Sequence, residues 1–222
     1  MVTRAVEDYL KAIYKLQRDG APATTNAIAE VLGVRAASVT SMFKSLRHEG
    51  MADYTRYQGA YLTEKGLAEA LRVIRRHRLI ELYLNQYLDV PWDRVHDEAE
   101  RLEHAITPYL EEHIDARLGY PGFDPHGAPI PTSTGTISER DLISLSELPP
   151  HIPSVVRNVP DDKPELLRLA AGLGLLPDVS VTVISRDPSD GSLEVVSGSP
   201  TSSATSRHVT HEIANSIFVN RP

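Results

Sequence analysis

The spacing of glycines between residues 26 and 59 constrains the fold of this chain more than any other feature. Helical composition at residues 26–32 stops at Gly33, and a second helical stretch at 36–49 stops at Gly50. Glycine ends helices readily because it adopts the left-handed backbone that follows the last turn. Short strands then flank Gly59, at 52–56 and 60–62. Two helices joined by a tight turn and followed by a hairpin predict a winged helix-turn-helix.

The rest of the chain predicts mostly helices, with strands confined to its last third. Thr3 is a suitable cap for an amphipathic helix at 4–18, and Thr63 for a long helix that reaches Leu88. Residues 132–140 have the composition of a linker. The other predicted elements are helices at 93–106, 108–118 and 164–171, and strands at 179–185, 192–196 and 217–219. The fold class is therefore mainly α with a small β part, and the last strands predict a small β-barrel with one helix.

The middle helices carry more apolar positions than one antiparallel helix pair can bury. These positions are Leu79, Leu82, Tyr83, Leu102, Ile106 and Leu110. An apolar face that stays unfilled within one chain usually packs against a second copy. The sequence therefore predicts a homodimer.

Charge is distributed unevenly along the chain. Residues 1–76 hold 12 Lys and Arg against 8 Asp and Glu, whereas residues 77–150 hold 5 against 14. A basic first part suits contact with DNA phosphates, and an acidic middle suits capture of a cation. Chance unevenness of a solvated surface is the alternative interpretation.

The absence of cysteine excludes a disulfide framework, a thiolate metal site and a catalytic thiol. The sequence also has no apolar run near 18 residues, and its first residues lack the apolar stretch of a signal peptide. We therefore expect a cytoplasmic protein with no membrane partner.

Histidines and carboxylates recur at helical spacing between residues 77 and 104. His77 and Glu81 lie four apart on the first predicted helix. At about 100° per residue, four groups on the second fall within one arc of a quarter turn; these are His96, Glu100, Glu103 and His104. Imidazoles and carboxylates on one stripe suit a divalent cation. A solvated acidic helix face is the alternative, although Arg101 is the only nearby cation on that helix.

Enzymatic function is not indicated by any motif. The metalloprotease HExxH, the GxSxG of hydrolases and the phosphate-binding P-loop are all absent. Di-iron bundles need Glu-x-x-His, whereas this chain offers Glu100-x-x-Glu103 and Arg101-x-x-His104. A winged-helix regulator that senses no metal remains as the alternative class.

Three stretches together resemble the family of metal-dependent repressors that includes the diphtheria toxin repressor and the manganese transport regulators. They are VEDYLKAIYKL at 6–16, RRHRLIELYL with VHDEAERLEH between 75 and 104, and DPHGAPIP at 124–131. LSELPP at 145–150 and PELLRLAAGLGLLPDVSVTV at 164–183 resemble the FeoA-type SH3-like barrel of longer family members.

The resemblance implies a division into domains and a function. Residues 1–72 would be the winged helix-turn-helix DNA-binding domain, 73–131 the helical metal-binding and dimerisation domain, 132–140 a linker, and 141–222 the FeoA-type domain. The protein would bind double-stranded operator DNA as a homodimer and repress metal-uptake genes when loaded with metal.

The resemblance also implies two metal sites. The primary site would consist of Asp8, Glu100, Glu103 and His104, and the second of His77, Glu81 and His96. Family members that respond to iron have Met at the position of Asp8 and Cys at that of Glu100, whereas those that respond to manganese have acidic residues at both. The chain is therefore expected to bind Mn²⁺, with Fe²⁺ as the alternative.

Other family positions agree less well with the manganese branch. Lys11 stands where manganese regulators have a Glu that helps to hold a second ion, so a closely spaced ion pair is disfavoured. The C-terminal ligand positions of the iron branch align with Lys163 and Leu166, which are poor ligands. Carboxylates lie nearby, at Asp161, Asp162 and Glu165, and His126 is interpreted as structural.

The DNA-contacting residues follow from the docking of a helix-turn-helix, whose second helix enters the major groove by its N-terminal end. The residues nearest the bases would be Arg35, Ala37, Ser38 and Ser41. Thr40, Lys44 and Arg47 would lie nearer the phosphates. Arg56 and Tyr57 of the wing would follow the backbone or the minor groove.

Overall fold

The computed structural model describes residues 2–17, 20–161, 163–198 and 206–222. The chain divides into two compact units. The first consists of Met1–Arg76, Glu103–Ala105 and Pro131–Thr136, and the second of His77–Leu102, Ile106–Ile130 and Ile137–Pro222.

The first unit contains the helix-turn-helix and hairpin that the sequence predicts. Its elements are α1 (Arg4–Leu16), α2 (Thr25–Leu32), α3 (Ala36–His48), β1 (Ala52–Thr55) and β2 (Gly59–Leu62). The side chain of Thr3 accepts a hydrogen bond from the amide of Val6 and caps α1. Gly33 ends α2 in the left-handed conformation, at φ 63°, which turns the chain directly into α3.

The core of the first unit holds α1 against the recognition region. Leu10 and Ile13 of α1 are fully buried, as are Ile28 of α2 and Phe43 and Leu46 of α3. One face of α1 is thereby fixed in the winged-helix core. Its opposite face carries Asp8.

Three helices follow the hairpin: α4 (Glu64–Leu88), α5 (Val95–Leu102) and α6 (Pro108–Arg117). The helix predicted to reach residue 106 ends at Leu102 instead. Thr107 is extended because the residue before a proline avoids the helical conformation, and its side chain caps α6 by accepting from the amide of Leu110. Residues 103–105 form a turn.

The apolar face predicted on the middle helices is partly filled within the second unit. Leu79 and Leu82 are buried with Ile114 and Ile130 in one cluster. Leu102 and Leu110 of the predicted face remain exposed, as does the neighbouring Tyr109. Among the helices described, none is both long and apolar enough to cross a lipid bilayer.

The last part of the second unit is an antiparallel sheet with two helices. The strands are β3 (Leu142–Ser144), β4 (Pro153–Asn158), β5 (Ser180–Arg186), β6 (Leu193–Ser197), β7 (Arg207–Val209) and β8 (Phe218–Asn220). They lie in the order β3-β8-β4-β5-β6-β7. The helices are α7 (Pro164–Gly172) and α8 (His211–Ser216).

The predicted closed barrel is wrong for the part of the chain that the structure describes, because the edge strands β3 and β7 do not pair with each other. Closure requires a hydrogen-bonded ladder between the two edges, and strands of three residues offer few groups for one. The sheet is therefore open.

Candidate metal centre

Asp8, Glu103 and His104 form a first ligand set within the first unit. Asp8 projects from α1, and Glu103 and His104 lie in the turn that follows α5. One ligand atom from each residue lies within 4.8 Å of the other two. Nε2 of His104 is 2.9 Å from Oδ1 of Asp8 and 3.4 Å from Oε1 of Glu103.

The ring of His104 lies where it could bind a cation together with the two carboxylates. Within the described residues, its buried Nε2 has no hydrogen-bond partner of acceptable geometry, although two carboxylate oxygens are close. Adjacent ligands of an octahedral ion with bonds of about 2.1 Å are about 3.0 Å apart. An imidazole nitrogen between two carboxylate oxygens at these distances can share one ion with them.

Lys11 forms a buried ion pair with the same set. Its Nζ lies 2.7 Å from Oε1 of Glu103, and the two side chains are 8% and 0% exposed. The ammonium group offsets the charge of a carboxylate that has no access to solvent.

The helical arc predicted for His96, Glu100, Glu103 and His104 is wrong, because α5 ends at Leu102. His96 and Glu100 lie on the helix and belong to the second unit, whereas Glu103 and His104 lie beyond its end and belong to the first. Within the second unit, Oε1 of Glu100 is 3.8 Å from Nε2 of His96.

The second ligand set consists of the predicted His77, Glu81 and His96, together with Asp161. Nε2 of His77 lies 3.0 Å from Oε1 of Glu81 and 3.1 Å from Nδ1 of His96, and this Nδ1 is 3.1 Å from the same Oε1. Oδ2 of Asp161 is 3.4 Å from Nδ1 of His96. Three ligand atoms thus form a nearly equilateral triangle with the spacing expected around one cation.

The electrostatics of this second set couple its acids to its bases. Burial alone would raise the pKa of Glu81, but the charge of His77 and hydrogen bonds from His77 and His96 lower it to about 2. Burial alone would lower the pKa of His96, but hydrogen bonds to Asp161 and Glu81 raise it to about 10. Without metal, protons supply the positive charge that these carboxylates require.

Asp124 and His126 form a third ligand set with Glu81 and Asp161, which sequence reasoning missed. Oδ1 of Asp124 accepts from the amides of His126 and Ala128, each at 2.9 Å. In the described structure Oδ2 of Asp124 and Oε2 of Glu81 are buried without a hydrogen-bond partner. Burial and the charge of Glu81, only partly offset by Arg78, raise the pKa of Asp124 to about 7.

His126 makes one structural contact and has a second ring nitrogen that could bind an ion. Its Nε2 lies 2.7 Å from the carbonyl oxygen of Trp92, to which it donates, and its buried Nδ1 has no hydrogen-bond partner in the described part of the chain. The available signal was the Asp-Pro-His-Gly turn, which places a carboxylate and an imidazole two residues apart.

The other carboxylates considered near α7 differ in their surroundings. Oε1 of Glu165 lies 3.5 Å from Nη2 of Arg168, and Asp162 lies outside the described residues. Lys163 occupies the N-cap of α7 and Leu166 is buried in the helix. Of these carboxylates, Asp161 lies beside His96 and belongs to the second ligand set.

The predicted DNA-contacting residues are presented on the surface of the first unit. Six of them are exposed along α3 or directly before it: Arg35, Ala37, Ser38, Ser41, Lys44 and Arg47. Thr40 is half-buried, and its hydroxyl donates to the carbonyl of Ala36 at 3.1 Å. At the tip of the wing Tyr57 is 88% exposed, and the guanidinium of Arg56 lies 4.8 Å from its ring centre.

Models of known protein families match this chain along nearly its whole length. The family described as iron-dependent repressor, N-terminal DNA-binding domain, matches residues 1–60. The iron-dependent repressor metal-binding and dimerisation domain matches residues 63–132, and the FeoA domain matches residues 143–221.

The similar proteins include an iron-dependent repressor and, among solved structures, a manganese-dependent repressor. The iron-dependent repressor IdeR of Mycobacterium tuberculosis is 31% identical over 97% of this chain and 96% of its own length. The transcriptional regulator MntR of Oceanobacillus iheyensis is 36% identical over 48% of this chain and 72% of its own length. A solved manganese-dependent transcriptional repressor in complex with manganese matches with a TM-score of 0.88 and 32% identity, covering 98% of this chain and 100% of that one.

Proposed function

This chain belongs to the iron-dependent repressor family of metal-dependent, DNA-binding transcriptional regulators, and we propose that it responds to Mn(II) and represses metal-uptake genes when loaded. The family consists of repressors and not of enzymes.

The donor chemistry of the first ligand set is the observation that carries this proposal. Asp8 and Glu103 offer carboxylate oxygens and His104 offers an imidazole nitrogen, and the chain has no cysteine. Hard oxygen ligands suit Mn(II), whereas soft thiolate and thioether ligands select other metals. The same ligands also accept Fe(II), so an iron-responsive repressor is the second candidate.

We assign the first ligand set as the regulatory site. Glu100 is added as a fourth ligand because the family resemblance implies it. The second set, His77, Glu81 and His96 with Asp161, would take another ion, and Asp124 with His126 offers a neighbouring position that shares Glu81 and Asp161. A bound divalent cation would supply the charge that allows these carboxylates to converge.

Helix α1 transmits the state of the first set to the DNA-binding region in this proposal. Asp8 and Glu103 with His104 hold α1 to the turn at 103–105, while Leu10 and Ile13 of α1 are embedded in the core beneath α3. A change in the position of α1 therefore reaches the recognition helix through packed side chains.

DNA binding is assigned to the surface of α3 and the wing. Arg35, Ala37, Ser38 and Ser41 would approach base edges, and Thr40, Lys44 and Arg47 the phosphates, with Arg56 and Tyr57 on the wing. A homodimer with two recognition helices would read half-sites about 34 Å apart, or a multiple of that spacing. The exposed Leu102, Tyr109 and Leu110 support such a dimer.

Domain boundaries at 1–72, 73–131 and 141–222 form part of the proposal.

The test is metal-stimulated DNA binding by the full chain. A duplex is selected from a random library by the Mn(II)-loaded protein, and its affinity is measured by anisotropy with and without Mn(II). Asp8→Ala is expected to keep the fold but lose most of the stimulation, because α1 then has no ligand for the ion. Asp97→Ala removes an exposed carboxylate of α5 and should respond like the wild type.

The outcomes separate the candidate functions. Stimulation by anaerobic Fe(II) but not by Mn(II) at the same free concentration would favour the iron-responsive repressor. Equal DNA binding with and without any divalent metal would favour a winged-helix regulator that senses no metal.

A further inference from the structure

Glu7 contacts the first ligand set although neither the sequence pattern nor the ligand geometry includes it among the ligands. It lies on α1 directly before Asp8. Its Oε2 is 2.6 Å from Nδ1 of His104, and its Oε1 accepts a hydrogen bond of 2.7 Å from Nη2 of Arg76. The three side chains are each about nine-tenths buried, and all three belong to the first unit.

The carboxylate of Glu7 determines which nitrogen of His104 is free to bind an ion. An ionised carboxylate only accepts hydrogen bonds, so Nδ1 must carry the proton that is donated to Oε2. In the neutral ring, which is the form that binds a metal ion, Nε2 then carries the lone pair. This is the nitrogen that faces Asp8 and Glu103 and that has no hydrogen-bond partner within the described residues.

Arg76 holds Glu7 in the orientation that this arrangement requires. With Oε1 engaged by the guanidinium, Oε2 is directed at the imidazole, so the two oxygens have separate partners. The contacts therefore run from Arg76 on α4 through Glu7 on α1 to the ring of His104.

We infer that Glu7 is a positioning residue for metal binding, which fixes His104 as an Nε2 ligand with a protonated Nδ1, and that Arg76 fixes Glu7. This inference rests on the proposed function, since it assigns the first ligand set to a cation. A carboxylate behind a metal-binding imidazole orients the ring and raises its basicity, and loss of such a partner typically reduces metal affinity by about 10- to 100-fold.

A purely structural ion pair between Glu7 and Arg76 is the competing explanation. It would stabilise the contact of α1 with α4 regardless of the state of His104. Its removal would lower stability but leave the ligand nitrogen and the metal affinity unchanged.

The first measurement uses the wild-type chain loaded with diamagnetic Zn(II). The two-bond ¹H–¹⁵N spectrum of His104 distinguishes a metal-bound nitrogen from a protonated one. We expect the metal at Nε2 and the proton at Nδ1. Metal at Nδ1 would overturn the inference without any variant, so a folding defect cannot obscure the result.

The second measurement compares the Mn(II) affinity of Glu7→Gln with that of Glu30→Gln by calorimetry. Glutamine keeps the shape of Glu7 but loses its charge, and its amide can donate to Nδ1, which favours the wrong tautomer. We expect Mn(II) affinity at the first set to fall about 10- to 100-fold in Glu7→Gln. Glu30 is an exposed carboxylate of the same unit, and its variant should bind within twofold of the wild type.

The results distinguish this inference from the proposed function. If folded Glu7→Gln binds Mn(II) as tightly as Glu30→Gln, Glu7 has no positioning role, while the proposed function stands. If the wild type itself binds neither Mn(II) nor Zn(II), the proposed function fails first.

Discussion

A single residue, Lys11, offsets part of the negative charge of the first ligand set. Glu103 is completely buried, and the ammonium of Lys11 lies 2.7 Å from one of its oxygens. Removing one partner of a buried ion pair is costly because the remaining charge loses its nearest counter-ion and has no access to solvent. The lysine therefore takes part of the role of a cation while the metal is absent.

Lys11→Met is expected to destabilise the metal-free protein by about 3–5 kcal/mol. Mn(II) should recover part of this loss, because it supplies the missing positive charge. Urea unfolding with and without Mn(II) measures both effects, and Lys15→Met, at an exposed position of the same helix, is the control. Equal midpoints for the two variants without metal would show that the ion pair contributes nothing.

The sequence predicted which residues belong to the ligand sets better than it predicted which of these residues lie together. The sequence singled out His77, Glu81 and His96, and the structure brings them together. It also placed Glu103 and His104 on one helical stripe with His96, which fails because α5 stops short of them. The position of a helix end depends on capping and on Pro108, and a shift of a few residues changes which side chains can meet.

The backbone geometry of the turn from Asp124 to Gly127 positions two candidate ligands, Asp124 and His126. Gly127 has φ +87°, and a Cβ atom there would lie 1.8 Å from the carbonyl oxygen of Arg157. Only glycine fits so close to a neighbouring backbone. This close approach fixes the position of the turn. Within the turn, the amides of His126 and Ala128 donate hydrogen bonds to Asp124.

Gly127→Ala should lower stability by at least about 1–3 kcal/mol, the usual cost of a left-handed backbone at a non-glycine residue, because the clash adds to it. It should also reduce Mn(II) stoichiometry if Asp124 and His126 take part in binding. Thermal unfolding and calorimetry are compared with Gly122→Ala, where a Cβ meets nothing within 4 Å. Indistinguishable behaviour of the two variants would contradict the constraint on the turn.

Elements with strong local signals were predictable, and those that depend on distant pairing were not. The caps at Thr3 and Thr63 and the stops at Gly33 and Gly50 gave helices close to those observed. β3 and β4 were missed because both pair with β8, which comes from a distant part of the sequence, and no local pattern predicts such pairing. β7 was missed because three residues are too few to show an alternating pattern. The same lack of information led to the prediction of a closed barrel.

Metal binding and DNA binding are linked equilibria at the scale of the whole molecule. A typical coupling of about 1–3 kcal/mol corresponds to DNA binding that is about 5- to 150-fold tighter with metal. Thermodynamic reciprocity then requires the selected duplex to tighten Mn(II) binding by the same factor. Mn(II) titrations with that duplex and with a scrambled duplex measure the effect, and equal Mn(II) affinity in the presence of the two duplexes would contradict coupling between the metal site and the DNA surface.

The two faces of α1 limit how a protein of this kind can evolve. Successive helical residues are about 100° apart, so a ligand moved one place along α1 would leave the site, and turning the helix to recover it would expel Leu10 from the core. The helix geometry therefore allows the side chain at position 8 to be replaced but does not allow the site to move along α1. A change of metal preference therefore requires new side chains at the existing ligand positions, such as Asp8, rather than a new site elsewhere on α1.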